Sequence, residues 1–294
     1  MRESIGVIGA GRIGVILGRA ASKRGFTVAF YDIDRRVAEK VRSMGFKTYE
    51  ELEELVDNSR YILVAVSQNN IGRVLLQVKS IIEDKRYTEH IVVFDTSTFK
   101  EGIIELYREF PENTIVASIH PMFGPGARKL EQYWVVVVQV PGREKDAEIV
   151  AELVEKLGFR VHISDWKIHD KAVALTIGSS YAVGIALSNI ALEALEELGE
   201  DLLEVFSGTT YRFLRYHMES ILLDLDSLAE DILGKDSVRK VVDKLAKAML
   251  RLSRGGDNVL EKAKEYKSIV GEYKLRCSYR AMYYCLEQSL CREK

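Results

Sequence analysis

Along the first half of the chain, short runs of consecutive apolar residues alternate with stretches in which apolar positions recur every three or four residues. Residues 4–9, 27–31, 61–66, 91–94, 114–119, 134–140 and 160–163 are runs of the first kind, with the length and character of strands buried on both faces of a parallel sheet. Val15, Leu17 and Ala21 lie at helical spacing, and the pattern also predicts helices over 35–44, 71–82 and 145–157, the one starting at 35 capped by Asp34. Strand and helix in this order predict an α/β fold, a doubly wound parallel sheet with right-handed crossovers. After residue 164 the pattern changes. No proline follows Pro141, and positions such as Val238, Val241, Val242, Leu245 and Met249 keep helical spacing. The expected organisation is therefore a sheet domain over 1–164 and an all-helical domain over 165–294. The run 168–198, rich in small residues and apolar on more than one face, is expected at the centre of the helical domain and in contact with a second copy of the chain in a dimer.

Composition narrows the partners. The 294 residues are 47% hydrophobic and 29% charged, enough for two cores. A net charge of −2 provides no broad basic face, which argues against nucleic acid or an anionic membrane surface and for a small-molecule partner. Met1-Arg2-Glu3-Ser4 leads straight into a strand rather than a signal peptide, and no apolar run approaches the roughly 18 residues of a membrane span, so a cytoplasmic protein is expected. Cys277, Cys285 and Cys291 are odd in number and lack CxxC spacing, as expected of free thiols at least partly buried. The five histidines show no metal-ligand spacing.

Candidate chemistry gathers at the ends of the predicted strands. Gly9-Ala10-Gly11-Arg12-Ile13-Gly14 joins the first strand to the first helix. The first glycine allows the tight turn, the second lets backbone approach a pyrophosphate, and the third permits close helix packing. Asp32 ends the second strand at the spacing the dinucleotide fingerprint requires, and a carboxylate there favours NAD over NADP. Arg35 and Arg36 could reach a phosphate or simply face solvent. Ser67, after the third strand, could touch the nicotinamide ribose or cap the next helix. Thr98, after the fourth, forms a capping box with Glu101 or else faces substrate. The stretch from Ile119 to Gly126 holds two of the four prolines and is expected as a rigid loop at a strand end, bearing His120, the side chain best suited to exchange a proton near neutral pH.

Taken in order, the glycine turn, the His120-Pro-Met-Phe-Gly-Pro125 block, the valine strand behind it and His169-Asp170 at the head of a long helix resemble prephenate dehydrogenases. The resemblance runs from residue 4 to about 233. It implies a Rossmann sheet followed by an all-helical substrate and dimerisation domain, and the NAD-dependent oxidative decarboxylation of prephenate to 4-hydroxyphenylpyruvate in a homodimer. It makes His120 the base that takes the proton of the ring hydroxyl, sets Thr98 where the family has a serine contacting that hydroxyl, and makes Arg212 the grip on a substrate carboxylate, with Arg215 as the rival. Ile177-Gly-Ser-Ser-Tyr181 departs from a histidine-bearing segment of the family, a contact that His169 could replace, or else His169 and Asp170 only cap the helix. Arogenate is the alternative substrate. β-Hydroxyacid dehydrogenases share the architecture, but where they place an asparagine four residues after a lysine this chain has Leu175 after Lys171. A non-catalytic nucleotide sensor is the remaining alternative.

Overall fold

The structure, a computed structural model, describes residues 3–288 apart from 86, 88–89, 224 and 226–229. Eight strands form one sheet: β1 (Ser4–Ile8), β2 (Thr27–Tyr31), β3 (Lys47–Thr48), β4 (Tyr61–Val64), β5 (Ile91–Asp95), β6 (Thr114–Pro121), β7 (Trp134–Val138) and β8 (Arg160–Ser164). Their spatial order is β3-β2-β1-β4-β5-β6-β7-β8, so the strand order reverses between β1 and β4, where an open α/β sheet leaves a ligand crevice at its carboxyl edge. Helices α1 (Arg12–Lys23), α2 (Arg35–Ser43), α3 (Leu52–Asp57), α4 (Gln68–Lys85), α5 (Ile103–Arg108) and α6 (Glu144–Lys156) cover it. Leu17, Ala21, Val41, Val150 and Val154 of α1, α2 and α6 fill one face, and Leu55, Ile71, Leu75, Val78, Ile104 and Tyr107 of α3, α4 and α5 the other. The short β3 and α3 had no clear apolar signature.

Two expectations are corrected here. The sheet is not wholly parallel, since β6 and β7 run antiparallel. The connection, residues 122–133, holds no helix beyond a three-residue 3-10 turn, Leu130–Gln132, whereas a parallel neighbour needs a full crossover, usually an α-helix. His120 and Pro121 are also not loop residues: they are the last two of β6, opposite Val136 and Val135. Pairing of β6 with β5 ends at Ser118. Because Met122 N donates to Trp134 O (2.9 Å), strand alternation turns the proline nitrogen toward the side from which β5 has already withdrawn, so no ladder bond is lost.

The chain divides into two compact units, one ending at Val173 and the other beginning at Ala174, beyond the division expected at 164/165. The first unit keeps α7 (Trp166–Val173), whose Trp166 packs against the sheet core. In the second unit a π-helical segment, Ala174–Gly178, leads into α8 (Ser179–Leu198), followed by α9 (Glu200–Phe206), α10 (Thr209–Leu222), α11 (Glu230–Leu233), α12 (Asp236–Ser253), α13 (Asp257–Val270) and α14 (Glu272–Glu287). Glycines set its close packing. A Cβ on Gly184 would lie 2.5 Å from Ile221 of α10, and one on Gly178 2.9 Å from Val238 of α12.

The helical run Trp166–Leu198 is 33 residues long with a mean hydropathy of 1.5 in its most apolar window, 22% of it buried, which by length and composition is enough to cross a membrane. That corrects the reading that no apolar run approaches membrane length: Ser, Thr and Gly interrupt the apolar residues, yet the stretch stays apolar on average. Cys277 and Cys285 are exposed rather than buried, and Cys291 lies outside the described residues.

Candidate active site

The glycine turn is built by crowding on one side and space on the other. Gly9 sits at φ +95°, and a Cβ there would be 2.5 Å from the carbonyl oxygen of Ala65. A Cβ on Gly14 would be 2.2 Å from Gly9 O, so α1 packs directly on the turn. Around Gly11, by contrast, nothing lies within 4 Å of such a Cβ. The open side is where a pyrophosphate fits, facing the start of α1 with Arg12 and Ile13 in its first turn.

Asp32 closes the site. Its Oδ2 accepts from Ala10 N (2.7 Å) and its Oδ1 from Asp34 N (2.9 Å), which ties the end of β2 to the turn. A carboxylate has about four acceptor positions, so two remain for ribose hydroxyls, while its charge opposes a 2′-phosphate. Arg36 does not counter this, because it is engaged with Asp34 (Nη2 to Oδ2, 3.0 Å) and Asp34 also caps α2 through Arg36 N (2.9 Å). These residues fit NAD.

Ser67 precedes α4, where its hydroxyl accepts from the Asn70 side chain (Nδ2, 2.7 Å) and its carbonyl from Asn70 N (2.9 Å). Thr98 makes no capping box with Glu101. The helix starts only at Ile103, and the Glu105 carboxylate accepts from Gly102 N (3.1 Å) instead. Distant side chains hold this loop: Gln68 Oε1 accepts from Thr98 N (2.8 Å) and its Nε2 donates to Phe99 O (3.0 Å), while Asp170 of α7 accepts from Lys100 N (3.0 Å) and Glu101 N (2.9 Å). The Thr98 hydroxyl itself has no hydrogen bond among the described residues.

Beneath the loop lies a polar cluster that the sequence reading missed. Lys100 is fully buried, and its Nζ donates to Ser97 O (2.5 Å), Ser97 Oγ (3.1 Å) and Ile119 O (2.8 Å). It thereby supplies a donor on the side of β6 from which β5 has withdrawn. Buried Asp95, the last residue of β5, accepts from Tyr107 OH (2.8 Å) and Ser97 N (2.6 Å). Burial lowers the Lys100 ammonium to about 8, against the opposing pull of Asp95 and Asp170. The Asp95-Thr-Ser-Thr-Phe-Lys100 stretch was visible as polar residues at a strand end, but nothing local marks a lysine as buried.

His120 stands at the carboxyl edge of the sheet, on the third strand along from β1, about 14 Å away at ordinary strand spacing. It is 6% exposed. Its Nδ1 lies 3.0 Å from Nε2 of His169, whose Nδ1 lies 2.8 Å from Asp170 Oδ1. His120 Nε2 has no hydrogen bond among the described residues. Burial first, then the Lys100 charge and His169, hold the His120 imidazolium well below its ordinary range, so the ring is neutral. Burial lowers His169 as well, against the pull of Asp170. His169, expected at the substrate, has both ring nitrogens engaged within the protein and is 4% exposed, so a substrate contact would have to break one of those bonds.

In the second unit, Arg212 and Arg215 share α10. Arg215 is paired with Glu204 (2.8 Å) and Glu219 (3.5 Å). The Nε of each arginine is buried without a hydrogen-bond partner among the described residues, and Arg212, unlike Arg215, forms no ion pair among them. A guanidinium without an internal carboxylate fits an anion supplied from outside.

Among solved structures the chain is similar to prephenate dehydrogenase from Aquifex aeolicus (15% identity, TM-score 0.66, covering 90% of this chain and 98% of that one). It is likewise similar to the A. aeolicus enzyme in complex with hydroxyphenyl propionate and NAD+ (14%, 0.65, 98% of each chain) and to Synechocystis arogenate dehydrogenase (18%, 0.64, 91% and 100%). At these identities the likeness is one of fold. No curated protein matches the sequence. Residues 4–164, more than half of the chain and the whole of the sheet, match the NAD binding domain of 6-phosphogluconate dehydrogenase, and with the glycine turn and Asp32 shaped as described the chain belongs to that family of NAD-binding proteins.

Proposed function

We propose that the chain is an NAD-dependent dehydrogenase of the prephenate type, a cytoplasmic enzyme that converts prephenate to 4-hydroxyphenylpyruvate, with arogenate as the alternative substrate. The observation that carries this reading is His120: a neutral imidazole at the carboxyl edge of a dinucleotide-binding sheet, anchored through Nδ1, with Nε2 unbonded among the described residues. NAD supplies the hydride acceptor for the ring carbon that bears the hydroxyl. His120 Nε2 accepts the hydroxyl proton as the carbon–hydrogen bond breaks. When the ring carboxylate leaves as carbon dioxide, its bonding electrons aromatise the ring and the same proton returns to the phenol oxygen, so no net proton is released. A base that only borrows a proton is best left neutral at rest, as burial and Lys100 leave this one. Thr98, with its hydroxyl unengaged among the described residues, contacts the substrate hydroxyl, and Arg212 takes a carboxylate.

The helical unit serves as the dimer interface on this reading, since Ile190, Leu192, Leu195 and Leu198 of α8 and Leu202, Val205 and Phe206 of α9 are exposed and apolar. Gel filtration at the mass of a single chain would remove the dimer. For the activity, NADH formation is followed with prephenate, arogenate and 3-hydroxyisobutyrate in parallel. Turnover of prephenate or arogenate is expected. Turnover of the hydroxyacid alone, or NAD binding with none of the three oxidised, would overturn the assignment in favour of a hydroxyacid dehydrogenase or a sensor respectively.

A further inference from the structure

Resting on that reading, we propose that Asp170 and His169 are positioning residues that fix the tautomer of His120, keeping its proton on Nδ1 and leaving Nε2 bare as the proton acceptor. The sequence of bonds leaves one consistent arrangement. The Asp170 carboxylate only accepts, so His169 must carry its proton on Nδ1, 2.8 Å from Oδ1. A neutral His169 then has a lone pair on Nε2. His120 Nδ1, 3.0 Å away, must supply the proton between the two rings, and His120 Nε2 is bare.

The geometry holds each member in place. Asp170 is fixed from the other side by Lys100 N and Glu101 N, so the carboxylate is set by the same loop that carries Thr98. The two rings meet edge to face with centroids 5.1 Å apart, and both are buried. Around them stand the ammonium of Lys100, on the loop after β5, and the carboxylates of Asp95 at the end of β5 and Asp170 on α7. When His120 Nε2 takes a proton, the resulting charge is shared through His169 toward Asp170, while the nearby lysine favours its return. No group need move for this: a tautomer set beforehand spares the catalytic step a reorganisation.

The test begins with the unmodified chain saturated with NAD and labelled with nitrogen-15 at histidine. The His120 resonances, assigned by their loss in His120→Gln, are expected to show a protonated Nδ1 and a bare Nε2; the reverse pattern overturns the proposal, whatever the substrate proves to be. Asp170→Asn is the decisive variant. Its amide oxygen can still accept from the loop nitrogens while its NH2 donates to His169 Nδ1, which reverses both tautomers and places a proton on His120 Nε2. Turnover is then expected to fall about 100-fold to 10,000-fold with NAD affinity kept, the range a general base contributes. His169→Gln, whose amide can accept from His120 and donate to Asp170, is expected to retain at least about tenfold more turnover than His169→Leu. Equal loss in the two His169 variants, or a wild-type tautomer in Asp170→Asn, would assign these residues a packing role only. The nitrogen-15 pattern decides the tautomer even if no prephenate is consumed, so failure of the proposal and failure of the substrate assignment are separable.

Discussion

Replacing Lys100 with methionine tests how the polar cluster sets the protonation of the site. The substitution keeps an unbranched chain and removes a fully buried ammonium that bonds Ser97 O, Ser97 Oγ and Ile119 O. Two opposed quantities decide its effect on stability. Leaving two buried carbonyls without their donor costs about 1–3 kcal/mol each. Against this, the ammonium titrates at about 8 in the folded protein rather than at 10.5, so holding it charged costs about 3 kcal/mol that the methionine does not incur. The two nearly cancel near neutral pH, and the melting temperature is expected to change little. The signature is in the pH dependence. Between about 8 and 10.5 the unfolded chain binds a proton at Lys100 that the folded chain does not, so wild-type stability rises with pH through that window by about 3 kcal/mol relative to Lys100→Met. Urea unfolding of both proteins at the two ends of the window measures that difference directly. The charge also lowers His120, so its removal is expected to shift the acid limb of kcat/KM upward, toward the ordinary imidazole range. A parallel pH dependence of stability in the two proteins, together with an unmoved acid limb, would refute the account of Lys100 as a buried cation acting on His120.

Further expectations follow from the same geometry. His120→Asn is expected to lower turnover at least about 100-fold with NAD affinity near normal, and unchanged turnover would remove it from the chemistry. Arg212→Ala is expected to raise KM about 10-fold to 100-fold through loss of a charge-assisted carboxylate contact, whereas Arg215→Ala, which breaks ion pairs within the protein, leaves KM within about twofold. Gly11→Ala and Gly14→Ala separate cofactor space from packing: the first folds normally and weakens NAD binding by titration, while the second, with its Cβ 2.2 Å from backbone, is expected to lower the melting temperature.

The features legible in the amino-acid order were the local ones. The glycine turn, the Asp32 carboxylate, the alternation of strand and helix and the all-helical second half each depend on residues close in the chain, where backbone sterics and apolar periodicity act directly. His120 was legible as a candidate because its proline-rich surroundings are local too, yet its place inside β6 was not, since it depends on where β5 ends and on which side of the strand the proline nitrogen falls. Tertiary structure alone decided the rest. Lys100 becomes a buried cation only because Ile119 O, nineteen residues on, faces it across the end of β5. His169 turns from a candidate substrate contact into the neighbour of His120, 49 residues earlier, because α7 packs with the sheet unit. Hydrogen bonds between side chains so far apart leave no periodic trace in the sequence, because what they require is a position in space and not a spacing along the chain.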